Sequence, residues 1–226
     1  MPALSERLAS VKDRIASATL RSGRNPADVE LVAVSKTYPA ERVAEAVEAG
    51  QDLFGESRVQ EALVKIPALP GRLRWHFIGH LQANKVRKAL PLFELLHGVD
   101  SADLARDIDR IGGEEGIFPR VLLEVNVSGE GSKHGFAPEQ LEAELETLLS
   151  LPRLQVEGFM TMAPLAPEAE SSRKYFAALR ELRDRLAQRA GIPLRTLSMG
   201  MSNDFEVAVE EGATLVRVGS AIFGER

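Results

Sequence analysis

The chain has 226 residues, with 28 lysine and arginine residues against 33 aspartate and glutamate residues, for a net charge of −5. This balance argues against a general nucleic-acid binder, whose affinity comes from basic side chains that neutralise phosphates, and a hydrophobic content of 44% argues against a disordered chain. The absence of cysteine excludes disulfides and thiolate metal sites, and no apolar run approaches the ~20 residues needed to span a bilayer.

Two kinds of periodicity alternate along the chain. Leu4, Leu8, Val11 and Ile15 have helical spacing and predict an amphipathic helix at the start. Eight short apolar runs then predict strands at 29–34, 52–54, 74–78, 94–99, 120–127, 155–160, 195–199 and 214–218. Helical patterns follow seven of these strands. Six begin at or near Pro39, Ser57, Gln82, the N-cap Ser101, Pro138 and Asn203, and the remaining one, a long helix after the sixth strand, is centred on 175–186. A short terminal turn follows the eighth.

Strands that alternate with helices of this length predict parallel strand pairing with helical crossovers. Eight such units in roughly 200 to 250 residues are typical of a TIM-type barrel. We therefore predict one α/β domain over residues 1–226, a (β/α)8 barrel with an extra N-terminal helix. A doubly wound open sheet is the alternative that the pattern leaves open.

Lys36 directly follows the first predicted strand, at the face where parallel barrels place their reactive groups. Its stem is expected to cross the apolar barrel mouth, where desolvation disfavours the ammonium form. A neutral amine at this place is suited to forming a Schiff base with an aldehyde. Taken by itself, the residue is better explained as an ordinary solvated lysine at a strand end.

The turns after the seventh and eighth predicted strands share a chemistry that suits an anion. Ser198-Met199-Gly200-Met201-Ser202 joins a strand to a helix, and Gly219-Ser220 opens the terminal turn. Backbone N–H groups at helix starts, glycines that allow close approach and serine hydroxyls together favour phosphate. Each turn alone fits a tight connection with a serine cap. Barrels of this type repeatedly use these two loops for phosphate, so the pair favours a phosphate site.

Arg217 lies inside an otherwise apolar strand. By alternation it shares a face with Leu215 and Gly219 and opposes Val216 and Val218. If the two valines pack on the helices, the guanidinium points into the top of the barrel, where a buried charge needs a partner. An aspartate or glutamate would be a structural partner, and an acceptor on a ligand, such as a ring nitrogen, would be a functional one.

The four histidines raise the question of a metal site. His76 and His80 are four residues apart, but the residues between them predict a strand end and a turn, so the pair lacks helical geometry. With no cysteine and no H-E-x-x-H pattern, we expect no dedicated metal site.

A strand-end lysine, two phosphate-binding loops and an inward arginine together describe a pyridoxal 5′-phosphate (PLP) site. Here the sequence resembles the pyridoxal phosphate homeostasis proteins, single-domain relatives of the alanine racemase barrel. The resemblance runs from Leu31 to the C-terminus. It is carried by AVSKT at 33–37, FGE at 54–56, VQE at 59–61, WHFIGHLQ at 75–82, NK at 84–85, GFMTM at 158–162, LSMGMS at 197–202 and VRVGSAIFG at 216–224.

The resemblance implies a role for each of these site residues. Lys36 would form the internal aldimine with PLP, and Arg217 would face the pyridine nitrogen, leaving it largely unprotonated and the electron sink weak. The phosphate would be surrounded by Ser198, Gly200, Ser202, Gly219 and Ser220. The chain departs from the family at Ser57, where asparagine usually follows Phe-Gly-Glu. A hydroxyl cannot replace both the donor and the acceptor of an amide, which puts a role for this position near the ring in doubt.

The resemblance favours a PLP-binding regulator of vitamin B6 levels over an enzyme. The alternative, an amino-acid racemase, needs acid–base groups on both faces of the substrate. In two-domain racemases a tyrosine from the additional domain and a dimer partner supplies one of them, and this chain ends at Arg226. We expect Tyr175 to pack within its helix and Tyr38 to stack on loop neighbours. Phosphosugar isomerase or lyase chemistry is weaker, because it leaves Arg217 without a purpose.

Partners and location follow from the same features. The resemblance implies PLP as the ligand and PLP-dependent apoenzymes as its recipients. We expect no nucleic-acid or membrane partner, and a monomer, since the dimer-forming domain of the racemases is absent from this sequence. The N-terminus lacks the basic and then apolar order of a secretory signal, so a cytoplasmic location is expected.

Overall fold

A closed barrel of parallel strands is formed by the residues that the computed structural model describes, 3–131 and 134–224. The strands pair in chain order, and the eighth pairs back to the first, with Leu31 opposite Val216. The predicted barrel is therefore confirmed, and the open-sheet alternative is wrong. The strands are β1 (Glu30–Val34), β2 (Leu53–Glu56), β3 (Arg74–Phe77), β4 (Leu95–Val99), β5 (Arg120–Glu124), β6 (Gln155–Met160), β7 (Thr196–Ser198) and β8 (Leu215–Val218).

Helices precede, connect and follow these strands. They are α1 (Leu4–Arg21), α2 (Ala40–Glu48), α3 (Val59–Lys65), α4 (Val86–Ala89), α5 (Ala102–Glu115), α6 (Pro138–Leu149), α7 (Arg173–Ala190), α8 (Phe205–Glu210) and α9 (Ser220–Phe223). The predicted cap is present, since the Ser101 hydroxyl accepts from the N–H of Leu104 at 3.3 Å. Within the described ranges, no helix combines the length and the apolar character that crossing a bilayer requires.

Alternation along the strands divides the apolar side chains into two clusters. One fills the interior of the barrel: Val32, Leu53, Leu95, Leu122, Met160 and Leu215. The other lies between the barrel and its helices and includes Val216 and Val218. Because these two valines pack outward, Arg217 between them points inward, as the sequence predicted.

The N-terminal helix α1 packs against the helices of the last unit, α8 and α9. Its buried side chains include the four predicted ones, Leu4, Leu8, Val11 and Ile15. Arg14 on its outer side forms an ion pair with Glu206 of α8 at 2.7 Å. The extra helix thus covers apolar surface where the helix ring closes.

The largest difference in strand length lies at β5, which was predicted over 120–127 and ends at Glu124. Beyond this point the N–H of Val125 still donates to the carbonyl oxygen of Met160 in β6 at 2.8 Å, but its bridge partner is Phe136, which lies outside the barrel strands. The side chain of Asn126 then accepts from the Ser128 hydroxyl at 2.9 Å and the Gly129 N–H at 3.1 Å, which turns the chain. Apolar composition continued past the strand, but local hydrogen bonding ended it.

Truncation of the barrel interior should be costly. We expect Leu122→Ala to lower the free energy of unfolding by about 2–5 kcal/mol, because Leu122 is fully buried in the interior cluster. The matched control is Leu20→Ala on α1, where the side chain is 64% exposed and the loss should stay below about 0.5 kcal/mol. Urea denaturation measures both, and equal losses would contradict the assignment of Leu122 to the core.

Candidate functional site

A cavity of about 480 Å³ opens at the carboxyl end of the barrel, within the size range of small-molecule sites. Five of the seven residues that the sequence analysis singled out line it: Lys36, Ser202, Arg217, Gly219 and Ser220. Val34 and Ile78 contribute apolar surface, and the segment 162–166 after β6 forms another part of the wall. Strands far apart in sequence thus bring two basic side chains and the serine-containing turns into one space.

The turn that carries Lys36 is held by α3. The N–H of Thr37 donates to a carboxylate oxygen of Glu61 at 3.0 Å, and the ammonium of Lys65 donates to the carbonyl oxygen of Ser35 at 2.9 Å. Thr37 has a φ of +68°, a left-handed conformation that is unusual for a β-branched residue. Bonds on both sides of Lys36 therefore keep its backbone in one orientation.

A buried ion pair lies behind this turn. Lys65 donates to Glu56 at 2.6 Å, and the Ser35 hydroxyl donates to the same oxygen at 2.7 Å. The second carboxylate oxygen of Glu56 is buried without a hydrogen-bond partner in the described structure. Burial raises the pKa of Glu56, while Lys65 and Ser35 oppose that shift. From sequence, Glu56 and Glu61 stand out only within motifs of the family resemblance, and Lys65 does not stand out at all.

Arg217 is buried below the cavity and has neutral partners. Its guanidinium donates to the Ser198 hydroxyl at 2.5 Å and to the carbonyl oxygen of Thr161 at 2.9 Å. In the described part of the chain, no carboxylate oxygen lies within 4.0 Å of the Arg217 guanidinium, the distance limit for an ion pair. Burial lowers the pKa of Arg217 to about 10, and the more distant Glu124 and Asp204 oppose this shift. The guanidinium therefore stays charged at neutral pH and contributes positive potential to the cavity.

Two buried histidines extend the hydrogen bonds of Arg217 into the barrel. The Nδ1 atom of His97 lies 2.9 Å from the Ser198 hydroxyl, and its Nε2 atom lies 3.0 Å from Nδ1 of His76. Burial lowers the pKa of His76 to about 3, and burial lowers that of His97 well below its usual value. Because arginine only donates, the chain is satisfied when Ser198 donates to His97 and His97 donates to His76.

Glu124, at the end of β5, is a further buried carboxyl group near the barrel mouth. Burial, followed by the charge of Asp100, raises its pKa to about 7. Arg217 and His80 oppose this shift. A group with such a pKa exchanges its proton near neutral pH.

The turns after β7 and β8 are joined to each other. The Ser202 hydroxyl accepts from the N–H groups of Gly219 and Ala221, both at 3.3 Å. Gly200 has a φ of +90°, and a Cβ there would lie 2.5 Å from that of Ala208, so only glycine fits. Its carbonyl accepts from the N–H of Arg217 at 3.0 Å.

The structure separates the predicted phosphate-binding residues into two groups. Ser202, Gly219 and Ser220 line the cavity, whereas Ser198 and Gly200 are outside its lining. Ser198 bonds with Arg217 and His97, and Gly200 shapes the turn behind Ser202. Sequence spacing alone did not separate the two groups, because the difference depends on contacts with residues from other units, such as those of Ser198 with Arg217 and His97.

Three further residues that the sequence analysis discussed have structural contacts. Tyr38 stacks on Phe223 with ring centroids 5.0 Å apart and donates its hydroxyl to the carbonyl oxygen of Gly224 at 2.6 Å. Tyr175 packs against the outer apolar cluster. Ser57 lies against Gly79, where a Cβ would approach the Ser57 carbonyl oxygen to 2.4 Å, and it is outside the cavity lining.

Comparison with known proteins gives a consistent result. The profile of the alanine racemase N-terminal domain matches residues 7–226. A protein of Aquifex aeolicus named pyridoxal phosphate homeostasis protein is 46% identical over 98% of this chain and 97% of its own length. The structure of PipY from Synechococcus elongatus with PLP bound is 44% identical, covers 98% of this chain and 100% of that one, and has a TM-score of 0.85.

More distant structures share the fold alone. An alanine racemase of Clostridium difficile is 18% identical, with a TM-score of 0.74. The match covers 99% of this chain and 56% of the racemase. The barrel is therefore common to both, and the similarity says nothing about a shared activity.

The buried ion pair behind Lys36 can be tested by removing one partner and then both. We expect Lys65→Met to lower the free energy of unfolding by about 3–5 kcal/mol, because it leaves the Glu56 carboxylate buried without its cation. The double variant Glu56→Gln/Lys65→Met should lose less than Lys65→Met alone. Lys88→Met, at an exposed position on α4, is the control in urea denaturation. The single variant Glu56→Gln completes the comparison, and a double variant whose loss equals the sum of the two single losses would contradict the pairing.

The two buried histidines should stay neutral in mildly acidic solution. We expect the Cε1–H resonances of His76 and His97 not to titrate between pH 8 and pH 5, because burial disfavours the charged rings. In the unfolded chain both imidazoles would bind a proton near pH ~6.5. The pair therefore lowers the free energy of unfolding as the pH falls below that value. Spectra of His80→Ala and His134→Ala identify the other two signals. A midpoint above pH 5 for either buried ring would contradict the assignment.

Proposed function

The chain belongs to the alanine racemase N-terminal domain family and, within it, to the pyridoxal phosphate homeostasis proteins. On this premise we propose that it binds PLP in the barrel cavity and takes part in PLP homeostasis. The observation that carries the proposal is that Lys36, Arg217 and the turns after β7 and β8 line one cavity. A cofactor with an aldehyde, a ring nitrogen and a phosphate matches these three kinds of group. When bound, PLP would supply two chemical features: an aldehyde that reacts with an amine, and an electron-poor ring.

Each group of the cavity has a place in this proposal. The amine of Lys36 would hold PLP covalently, as a Schiff base formed with the cofactor aldehyde by loss of water. Ser202, Gly219 and Ser220 bind the phosphate through hydroxyl and backbone N–H groups. The contacts of the Ser202 hydroxyl with the N–H groups of Gly219 and Ala221 support this role, because they hold the hydroxyl beside the start of α9.

Arg217 faces the ring nitrogen in this proposal, and Ser198 acts through it. Since Ser198 and Thr161 supply the acceptors for the guanidinium, the arginine keeps one orientation below the cavity. Gly200 acts through the backbone, because its carbonyl accepts from the Arg217 N–H and its lack of a Cβ allows the turn to close. Both residues support PLP without contacting the phosphate themselves.

A carrier explains the cavity better than a racemase. Racemisation needs a second acid–base group opposite the lysine. Of the other ionisable side chains in the lining, Tyr38 donates its hydroxyl to Gly224, and Asp204 accepts from the N–H of Met201 at 2.7 Å. We therefore propose a non-enzymatic protein of the cytoplasm that releases PLP to PLP-dependent apoenzymes and acts as a monomer.

The Schiff base gives the proposal a direct spectroscopic test. The purified protein should be yellow, and Lys36→Ala should lose the visible absorbance while its far-UV circular dichroism stays unchanged, because no amine is left to bind the aldehyde. Lys88→Ala, which changes an exposed lysine on α4, should stay yellow. Borohydride reduction followed by mass spectrometry should place one pyridoxyl group on Lys36. A pyridoxyl group on another lysine, or none after incubation with PLP, would refute the proposal.

A kinetic assay distinguishes a carrier from an enzyme. Holo-protein mixed with a PLP-dependent apoenzyme should restore that enzyme's activity as PLP is released. Incubation with single enantiomers of amino acids should leave their optical rotation unchanged. Racemisation at enzymatic rates would show that the racemase alternative is correct.

A further inference from the structure

A second cluster of polar side chains lies at the barrel mouth, on the side of β3, β4 and β5. His80 follows β3, Asp100 follows β4, and His134 lies in the loop after β5. The Nδ1 atom of His80 is 2.8 Å from Oδ2 of Asp100, and the Nδ1 atom of His134 is 3.6 Å from the same oxygen. The two imidazole rings stack with centroids 4.3 Å apart. The Nδ1 atoms of both histidines therefore point toward one carboxylate oxygen.

The backbone after His134 is anchored to the barrel. The N–H of Phe136 donates to the carbonyl oxygen of Glu124 at 2.8 Å, and the N–H of Asn126 donates to that of Phe136 at 2.9 Å. Gly135 has a φ of +108°, and a Cβ there would lie 2.9 Å from the Glu124 oxygen. This position requires glycine, and the close approach brings His134 to the mouth beside Asp100.

The distances from the two imidazole Nδ1 atoms to Asp100 are compatible with a metal site. Zinc bonds of ~2.0–2.1 Å to nitrogen and oxygen place neighbouring ligands of a tetrahedral ion ~3.3 Å apart. The two distances to Asp100 lie on either side of this value. One ligand atom from each residue lies within 4.8 Å of the others. The side chain of Asp100 is only 10% exposed, whereas those of His80 and His134 are 45% and 61% exposed and are able to rotate toward an ion.

We propose that His80, Asp100 and His134 bind one divalent transition-metal ion, with Zn²⁺ as the representative, at the mouth of the barrel. Two imidazoles and one carboxylate suit ions of intermediate softness, whereas Mg²⁺ prefers an all-oxygen shell. Water completes the coordination on the exposed side. The three ligands are outside the lining of the Lys36 cavity, so this proposal does not depend on PLP binding.

The expectation from sequence was the opposite, that no dedicated metal site is present, because His76 and His80 are the histidines closest together in the chain. In the structure these two residues have different partners, since His76 bonds with His97 inside the barrel and His80 bonds with Asp100 at the mouth. The proposed ligands come from three separate strand ends, and no local motif links them. Only closure of the barrel brings them together.

Zinc titration of the untagged, EDTA-treated protein against a fluorescent chelator tests the proposal. We expect one equivalent of Zn²⁺ to bind in the micromolar range. His80→Ala and His134→Ala should each weaken the affinity about tenfold or more, because each removes a ligand. Asp103→Asn is the matched control, since this nearby carboxylate is 93% exposed and should not contribute. Mg²⁺ in large excess should not displace the zinc.

Two further measurements make the result unambiguous. Co²⁺ in place of Zn²⁺ should give visible d–d absorbance that both histidine variants lose, and Lys36→Ala should bind zinc like the parent protein. Circular dichroism checks that the variants are folded. Absence of stoichiometric zinc binding by the parent protein, or affinity unchanged in both histidine variants, would overturn the proposal. Loss of zinc binding in Lys36→Ala would also overturn it, because it would assign the metal to the other cavity.

Discussion

The charge of Arg217 inside the barrel is the constraint to which the rest of the site is adapted. A buried guanidinium without a nearby carboxylate is costly unless its N–H groups are satisfied. Here a hydroxyl and a backbone carbonyl accept from it, and the hydroxyl is in turn part of a chain with His97 and His76. Burial keeps both histidines neutral, so the positive charge stays on the arginine below the cavity.

A second buried group, the Glu56–Lys65 pair, controls the position of Lys36. This pair and Glu61 belong to β2 and α3, which follow the lysine in the chain, and they bond with the residues on each side of it. A lysine side chain has many rotamers, so a fixed backbone limits where its amine can reach. The unusual conformation of Thr37 persists because these bonds hold it.

The barrel mouth thus has two sides with different chemistry. The side formed by β1, β7 and β8 has Lys36 and Arg217 with serine-containing turns, and it suits an anionic ligand with an aldehyde. The side formed by β3, β4 and β5 has two imidazoles around a carboxylate and suits a cation. One closed sheet supports both, because the carboxyl ends of all its strands open at the same face.

Local patterns in the sequence were enough to predict the barrel and much of the cavity lining. Alternation of short apolar runs with helical patterns depends only on local spacing, so it predicted the strands, the N-terminal helix and the inward direction of Arg217. The motif after β1 and the turns after β7 and β8 likewise lie in continuous segments. This is why Lys36, Ser202 and Gly219, which line the cavity, could be singled out from the sequence. Three contacts could not be predicted in this way: Ser198 bonds with Arg217, Lys65 supports the turn of Lys36, and His80 lies beside Asp100 and His134. These contacts join residues from separate units, and their distances are set only when the barrel closes.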